Sequence, residues 1–177
     1  MSKNKERHQP SSEEMEHAEE SMSELEKVMT DVRYKVLANP EFQGKKVVFI
    51  MRGVPGSGKS SIAREIAHPE GVIHSTDQYF YDAKGEYRFD PSKLSEYHDK
   101  NYDAFCKSLE LEKPVVVIDN TNVQRSHFER YVIAAKARGY LVREIEAPKP
   151  DPAMAAKRNI HSVSEETIRQ MLAQYEK

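Results

Sequence analysis

The stretch KVVFIM at 46–51, followed directly by RGVPGSGKSS at 52–61, restricts this chain more than any other part of it. A short, almost wholly apolar run of this kind reads as a strand buried on both faces. Gly53, Gly56, Gly58, Lys59 and Ser60 then complete G-x-x-x-x-G-K-S, and helix-forming sequence runs on from Gly58 to Ala67. Glycines let such a loop curl until its backbone N–H groups point inward at an anion, and the helix that follows adds the positive end of its dipole. A loop of this type works only between a sheet edge and a helix N-terminus, which commits the chain to a layered α/β domain.

The rest of the sequence alternates in the same sense. GVIHS (71–75), PVVVID (114–119) and YLVREIEA (140–147) read as further strands. Helices are expected from Asp90-Pro91 to about Glu112, over 124–138 up to Gly139, from Asp151-Pro152, and after Ser164. Strands separated by helices predict a parallel sheet with helices on both faces. Upstream, Ser11 and Glu14 fit a capping box, and Met15, Ala18, Met22, Leu25, Met29, Val32 and Val36 recur at alternating three and four up to Asn39-Pro40. The expected organisation is an acidic tail and amphipathic helix over 1–41, then a P-loop domain over 42–177. The helix stripe either packs on its own domain or pairs through 15–36 with a second copy or a partner helix.

Charge narrows the partners. The chain carries a net charge of −2, with six Lys/Arg against ten Asp/Glu in residues 1–41 and 21 against 19 in the remainder. Nucleic acid bound through bulk positive charge is excluded, and any such contact needs a local patch. No apolar run is long enough to span a membrane, and no signal peptide is visible. The single Cys106 forms no intramolecular disulfide and suits a reducing, cytoplasmic compartment, with the nucleus left open.

The loop chemistry is that of a nucleoside triphosphate. Gly53, Pro55, Gly56, Ser57, Gly58, Lys59, Ser60 and Ser61 form the expected ATP cradle, with Lys59 reaching the β/γ-phosphates and Ser60 ligating Mg²⁺. No guanine-reading NKxD run is present, and the domain is short, which favours a small kinase over a GTPase or a motor. The second strand delivers Asp77 to the sheet edge where α/β ligands bind, so Asp77 reads either as a general base or as a turn cap. Asp119, after four apolar residues, resembles a Walker B carboxylate that holds a Mg²⁺-bound water. Lys157 and Arg158 end a short helix that reads as a lid over the nucleotide.

Taken in order, RGVPGSGKSS, STDQYF, GEYRFDPSKL through EYHDKNYDAF, VVVIDNTNVQ and RNIHSVSEETIRQMLAQYE resemble the 5′-hydroxyl polynucleotide kinase branch of the P-loop kinases, in particular the kinase domain of the Nedd-four binding protein two family. The resemblance spans about 47–176. It implies a P-loop NTPase fold with a small parallel sheet of about four strands, order 2-3-1-4, and a C-terminal helical lid. It implies Asp77 as the base that takes the proton of a 5′-hydroxyl, Lys59 and Ser60 on ATP and metal, Thr121 and Asn122 on the acceptor side, and Arg158 as the first basic residue of the lid. Phage polynucleotide kinase shares the skeleton more distantly and departs twice: a basic acceptor-gripping position is Phe80 here, and the second lid arginine is Ser162, next to His161. Tyr79, Phe80 and Tyr81 offer base stacking instead, and His98 and Asn101 are further polar candidates on one helix.

The expected activity is therefore ATP-dependent phosphoryl transfer to a 5′-hydroxyl nucleic acid, RNA or DNA, with other repair or processing enzymes as partners. Two other readings stay open: a kinase of a small hydroxylated acceptor such as a nucleoside, nucleotide-sugar or antibiotic, and an ATP-gated interaction module working through the N-terminal helix.

Overall fold

A computed structural model describes residues 12–32 and 38–176. Ser11 and Val36, and the side chains of Glu14, Ala18 and Met22, lie outside the described residues. The element order is α1 (Ser12–Asp31), β1 (Val47–Arg52), α2 (Lys59–Ala67), β2 (Val72–His74), α3 (Leu94–Glu110), β3 (Val115–Ile118), α4 (Glu129–Ala137), β4 (Leu141–Glu146), α5 (Pro152–Arg158) and α6 (Glu165–Ala173). The four strands form one parallel sheet in the order β2-β3-β1-β4, as expected. Register places Phe49 beside Val117 and Arg143, and Ile73 beside Val117. Among the described residues no helix is long and apolar enough to cross a membrane.

β1 is central, and all six of its residues are buried, which accounts for its unbroken apolar run. The pleat sends alternate side chains to opposite faces. Val48 and Ile50 pack with Phe105, Leu109, Phe128, Tyr131 and Ala135 under α3 and α4. Val47, Phe49 and Met51 pack with Ile62, Ala63 and Ile66 of α2 on the other face. Each such side chain, fully buried, contributes about 1.5–3 kcal/mol. Leu25, Val28, Met29 and Val32 join this second cluster, and Val32 is 2% exposed. The C-terminal half of α1 thus lies against its own domain, whereas Met15 at the other end is exposed.

Two helices start later than the sequence suggests. Asp90 does act as a cap, accepting from the Ser92 N–H at 2.9 Å, but Pro91–Lys93 form a 3-10 turn before α3 begins. Residues 125–127 form another, and buried Phe128, with φ −130°, stands between it and the start of α4.

Arg52, the last residue of β1, is 4% exposed. Its guanidinium pairs with Glu144 at 3.3 Å and Glu146 at 3.2 Å, and lies over the rings of Phe128 and Tyr175. It also donates to the carbonyls of Asn122, Val123 and Glu176. One buried cation thus joins the sheet centre, the edge strand, the loop after β3 and the segment after α6. A third cluster, Val54, Val123, Ala155 and Ile168 with Val163, Met171 and Leu172, packs α5 and α6 beside the loop after β1.

Candidate active site

The loop between β1 and α2 is shaped by close approach. Gly58 is left-handed at φ 84° and caps α2 without any side-chain hydrogen bond, so the first N–H groups of the helix are left to a ligand. Gly56, at φ 78°, lies against the backbone carbonyl of Ala155 in α5, where a Cβ has no room. A Cβ on Gly58 would come within 2.9 Å of Leu25 Cδ1, so α1 touches the loop from behind. Ser57 is buried, and its Oγ has no hydrogen-bond partner among the described residues. An uncapped helix N-terminus, a loop free of side-chain bulk and an orphaned hydroxyl fit a polyphosphate.

A cleft of about 230 Å³ opens above this loop. Pro55, Gly56, Ser57, Gly58, Lys59, Ser60 and Ser61 line one side, and Asp77, Thr121, Arg158, Asn159, Ile160 and His161 face them. Arg64 of α2 also lines the cleft and donates to Ser61 Oγ at 3.3 Å. Lys59 Nζ lies 3.3 Å from Asp119 Oδ1, with both side chains about nine-tenths buried. The ammonium and the carboxylate thus neutralise one another at the foot of the cleft. Among the described residues no three His, Cys, Asp or Glu side chains group to hold a metal by themselves. Ser60 and Asp119 would hold a divalent cation only together with oxygens of a bound nucleotide, and the cation would there offset phosphate charge.

Asp77 sits in a 3-10 turn, Thr76–Phe80, at the C-terminal end of β2. The turn is fixed by Asn120, whose Oδ1 accepts from the Thr76 N–H at 2.9 Å, and by His98, whose Nδ1 is 3.1 Å from Thr76 Oγ1. Burial, followed by Arg130 and His127, holds the His98 imidazole below its ordinary pKa. The Asp77 carboxylate remains half exposed to the cleft. Tyr87 Oη donates to its Oδ1 at 3.4 Å, and burial together with the Asp77 charge pushes the Tyr87 hydroxyl up, so it stays a donor.

Six expected residues are placed elsewhere than on the wall of the cleft. Gly53 lies below the loop, donating to Thr121 O at 2.9 Å, and Asp119 stands behind Lys59. Asn122 is 1% exposed at φ 48°, and its Nδ2 donates to Met51 O at 2.8 Å. It ties the loop after β3 to β1 and does not line the cleft. Tyr79 points along α3, donating to Lys100 O and packing on Tyr97. Phe80 is buried among Tyr87, Phe89 and Tyr97, and Asn101 is wholly buried against Tyr131 Oη, so neither reaches a ligand. His161 and Arg64 on the cleft wall, and Tyr87 behind Asp77, are residues that the sequence did not single out. They come from separate segments, and only the folded loops bring them together.

This arrangement is that of a P-loop kinase-like domain. The family model described as AAA domain matches residues 48–177, and the chain belongs to that family. It is 41% identical over 136 residues to NEDD4-binding protein 2 of Homo sapiens, a match covering 74% of this chain and 8% of that protein. It is 28% identical over 161 residues to YLP motif-containing protein 1 of Homo sapiens, covering 77% and 8%. The chain thus spans less than a tenth of the length of these two curated relatives. A chain of the Pnkp1/Rnl/Hen1 RNA repair complex shares its fold, with a TM-score of 0.58 at 17% identity over 74% of this chain and 44% of the other.

Proposed function

We propose that this domain transfers the γ-phosphate of ATP to the 5′-hydroxyl end of a polynucleotide. The observation that carries the reading is that the phosphate loop and Asp77 face one another across a single small cleft. Lys59 and the uncapped start of α2 bind the triphosphate. Arg158, at the end of α5, faces the same space and offsets charge that develops on the transferring group. The acceptor oxygen bonds the γ-phosphorus as the bridge to the leaving diphosphate breaks, and the acceptor proton passes to Asp77. Mg²⁺, when bound, neutralises phosphate charge during the transfer. The choice of a polynucleotide over other acceptors draws on the likeness to NEDD4-binding protein 2 and on a fold shared with an RNA repair complex.

The test is transfer of labelled γ-phosphate from ATP to 5′-hydroxyl RNA, 5′-hydroxyl DNA and a control strand whose 5′ end is already phosphorylated. The expected result is label on the 5′-hydroxyl strands alone. ATP bound with no strand labelled would overturn the polynucleotide acceptor. One observation favours a small hydroxylated acceptor as the second reading: Phe80 is buried, so that position supplies no cation to a nucleic-acid backbone. Salt separates the two, because polynucleotide binding weakens steeply as salt rises and a neutral small acceptor does not respond in that way.

A further inference from the structure

We propose that His161 is a positioning residue for Asp77, carried by the lid, so that closure of the lid turn completes the acceptor side of the cleft. The inference rests on the reading of Asp77 as the group that takes the acceptor's proton.

The turn between α5 and α6 is held by Asn159. Its Nδ2 donates to Ala156 O at 2.8 Å and Val163 O at 3.0 Å, and its Oδ1 accepts from the Val163 N–H at 2.8 Å. Ser162 takes the left-handed conformation this requires, at φ 57°. The turn thereby aims His161 back into the cleft with its side chain 18% exposed. Its Nε2 lies 3.5 Å from Asp77 Oδ2, and its ring packs 4.1 Å from that of Tyr87 at 36°. Tyr87 in turn reaches the other carboxylate oxygen. The two oxygens of Asp77 are therefore each faced by a side chain from a different segment, one on the lid and one on the Tyr81–Tyr87 hairpin.

A histidine that served only the fold of the turn would spend its second nitrogen on the turn. Here Asn159 makes those bonds, and His161 Nδ1 is buried without a hydrogen-bond partner among the described residues. Both contacts to Asp77 are long. Tightening of such contacts on assembly of the full complex is the expected behaviour of groups that orient a base. A base with one oxygen oriented by a lid residue also links proton removal to the exclusion of water.

The experiment compares wild type with His161→Ala, His161→Gln and Tyr87→Phe under saturating ATP while the 5′-hydroxyl acceptor is varied. His161→Ala is expected to lose roughly ten- to a hundredfold in kcat/KM for the acceptor, the range for a slightly misplaced reacting group. ATP binding is expected at the wild-type level. The glutamine should restore part of the loss, and Tyr87→Phe should cost less than His161→Ala. Independently of any acceptor, the NMR signals of the His161 ring should move at fixed pH in Asp77→Asn, since the two side chains are in contact. Wild-type kcat/KM in His161→Ala, with the strands still labelled, overturns the proposal and leaves the kinase reading intact. Unchanged His161 ring signals in Asp77→Asn overturn it as well. Failure of wild type to label any strand, with the ring signals moved, overturns the polynucleotide reading and supports the contact.

Discussion

Asp77 and Lys59 divide the cleft between them, and their substitutions should fail differently. Asp77→Asn keeps the shape and removes the charge that receives a proton in the proposed reaction. Transfer is expected to fall by roughly 10²-fold or more, with ATP binding retained in a fluorescent-nucleotide displacement assay. Lys59→Met is expected to lose binding and transfer together, since its ammonium faces the phosphate cradle and leaves Asp119 buried without its partner. A different residue governs stability against pH. His74 is buried, its Nε2 lies 2.9 Å from Ser108 Oγ, and burial lowers its pKa below 6.5. The folded state thus favours the neutral ring. Its contribution is complete above about pH 6.5 and is lost as pH falls toward the lower folded value. His98 acts in the same direction. The Tm should drop between about pH 7.5 and about pH 5.5, and the drop should be smaller in His74→Gln.

Elements were legible where periodicity and glycine spacing carry them. The parallel sheet follows from the alternation of strands and helices, the order of its four strands came from the family resemblance, and each strand lies where its apolar run predicts. The direction of a polar side chain at a strand end was not legible. Asn122 follows Asp119 in the same turn, yet it takes a left-handed backbone and faces inward to Met51 O. Nothing local in NTN reveals this, because the partner carbonyl comes from another strand. Likewise Phe80 and Tyr81 are neighbours, but one is 3% exposed and the other 42%. The contact between the phosphate loop and α5 makes its own prediction at this scale. Gly56→Ala places a methyl group into the Ala155 backbone at a positive φ. It should abolish ATP binding and increase proteolytic cutting in the lid segment 151–164, read by limited digestion with and without ATP.

For the whole molecule, the question is whether α1 is an appendage or part of the core. Leu25, Val28, Met29 and Val32 pack with Phe49 and Ile66, and Leu25 also backs Gly58. Val32→Asp is therefore expected to destabilise the domain by about 3 kcal/mol or more, the cost of an unpaired charge in a core, measured by urea unfolding. A two-domain division at residue 41 predicts almost no effect instead. The apolar stripe was visible in the sequence, but a stripe names a buried face without naming what buries it. Here the described half finds its own sheet, and exposed Met15 leaves the other end to be tested for self-association by sedimentation.

The meeting of Gly56 with Ala155 bears on how such a protein can be rebuilt. Nucleotide loop and lid are cut to one another's outline, since the loop is bare where the lid backbone rests on it. A chimera that borrows α5 and its turn from a relative inherits a lid fitted to that relative's loop. The two segments form a single transplantable part, although about ninety residues of chain separate them.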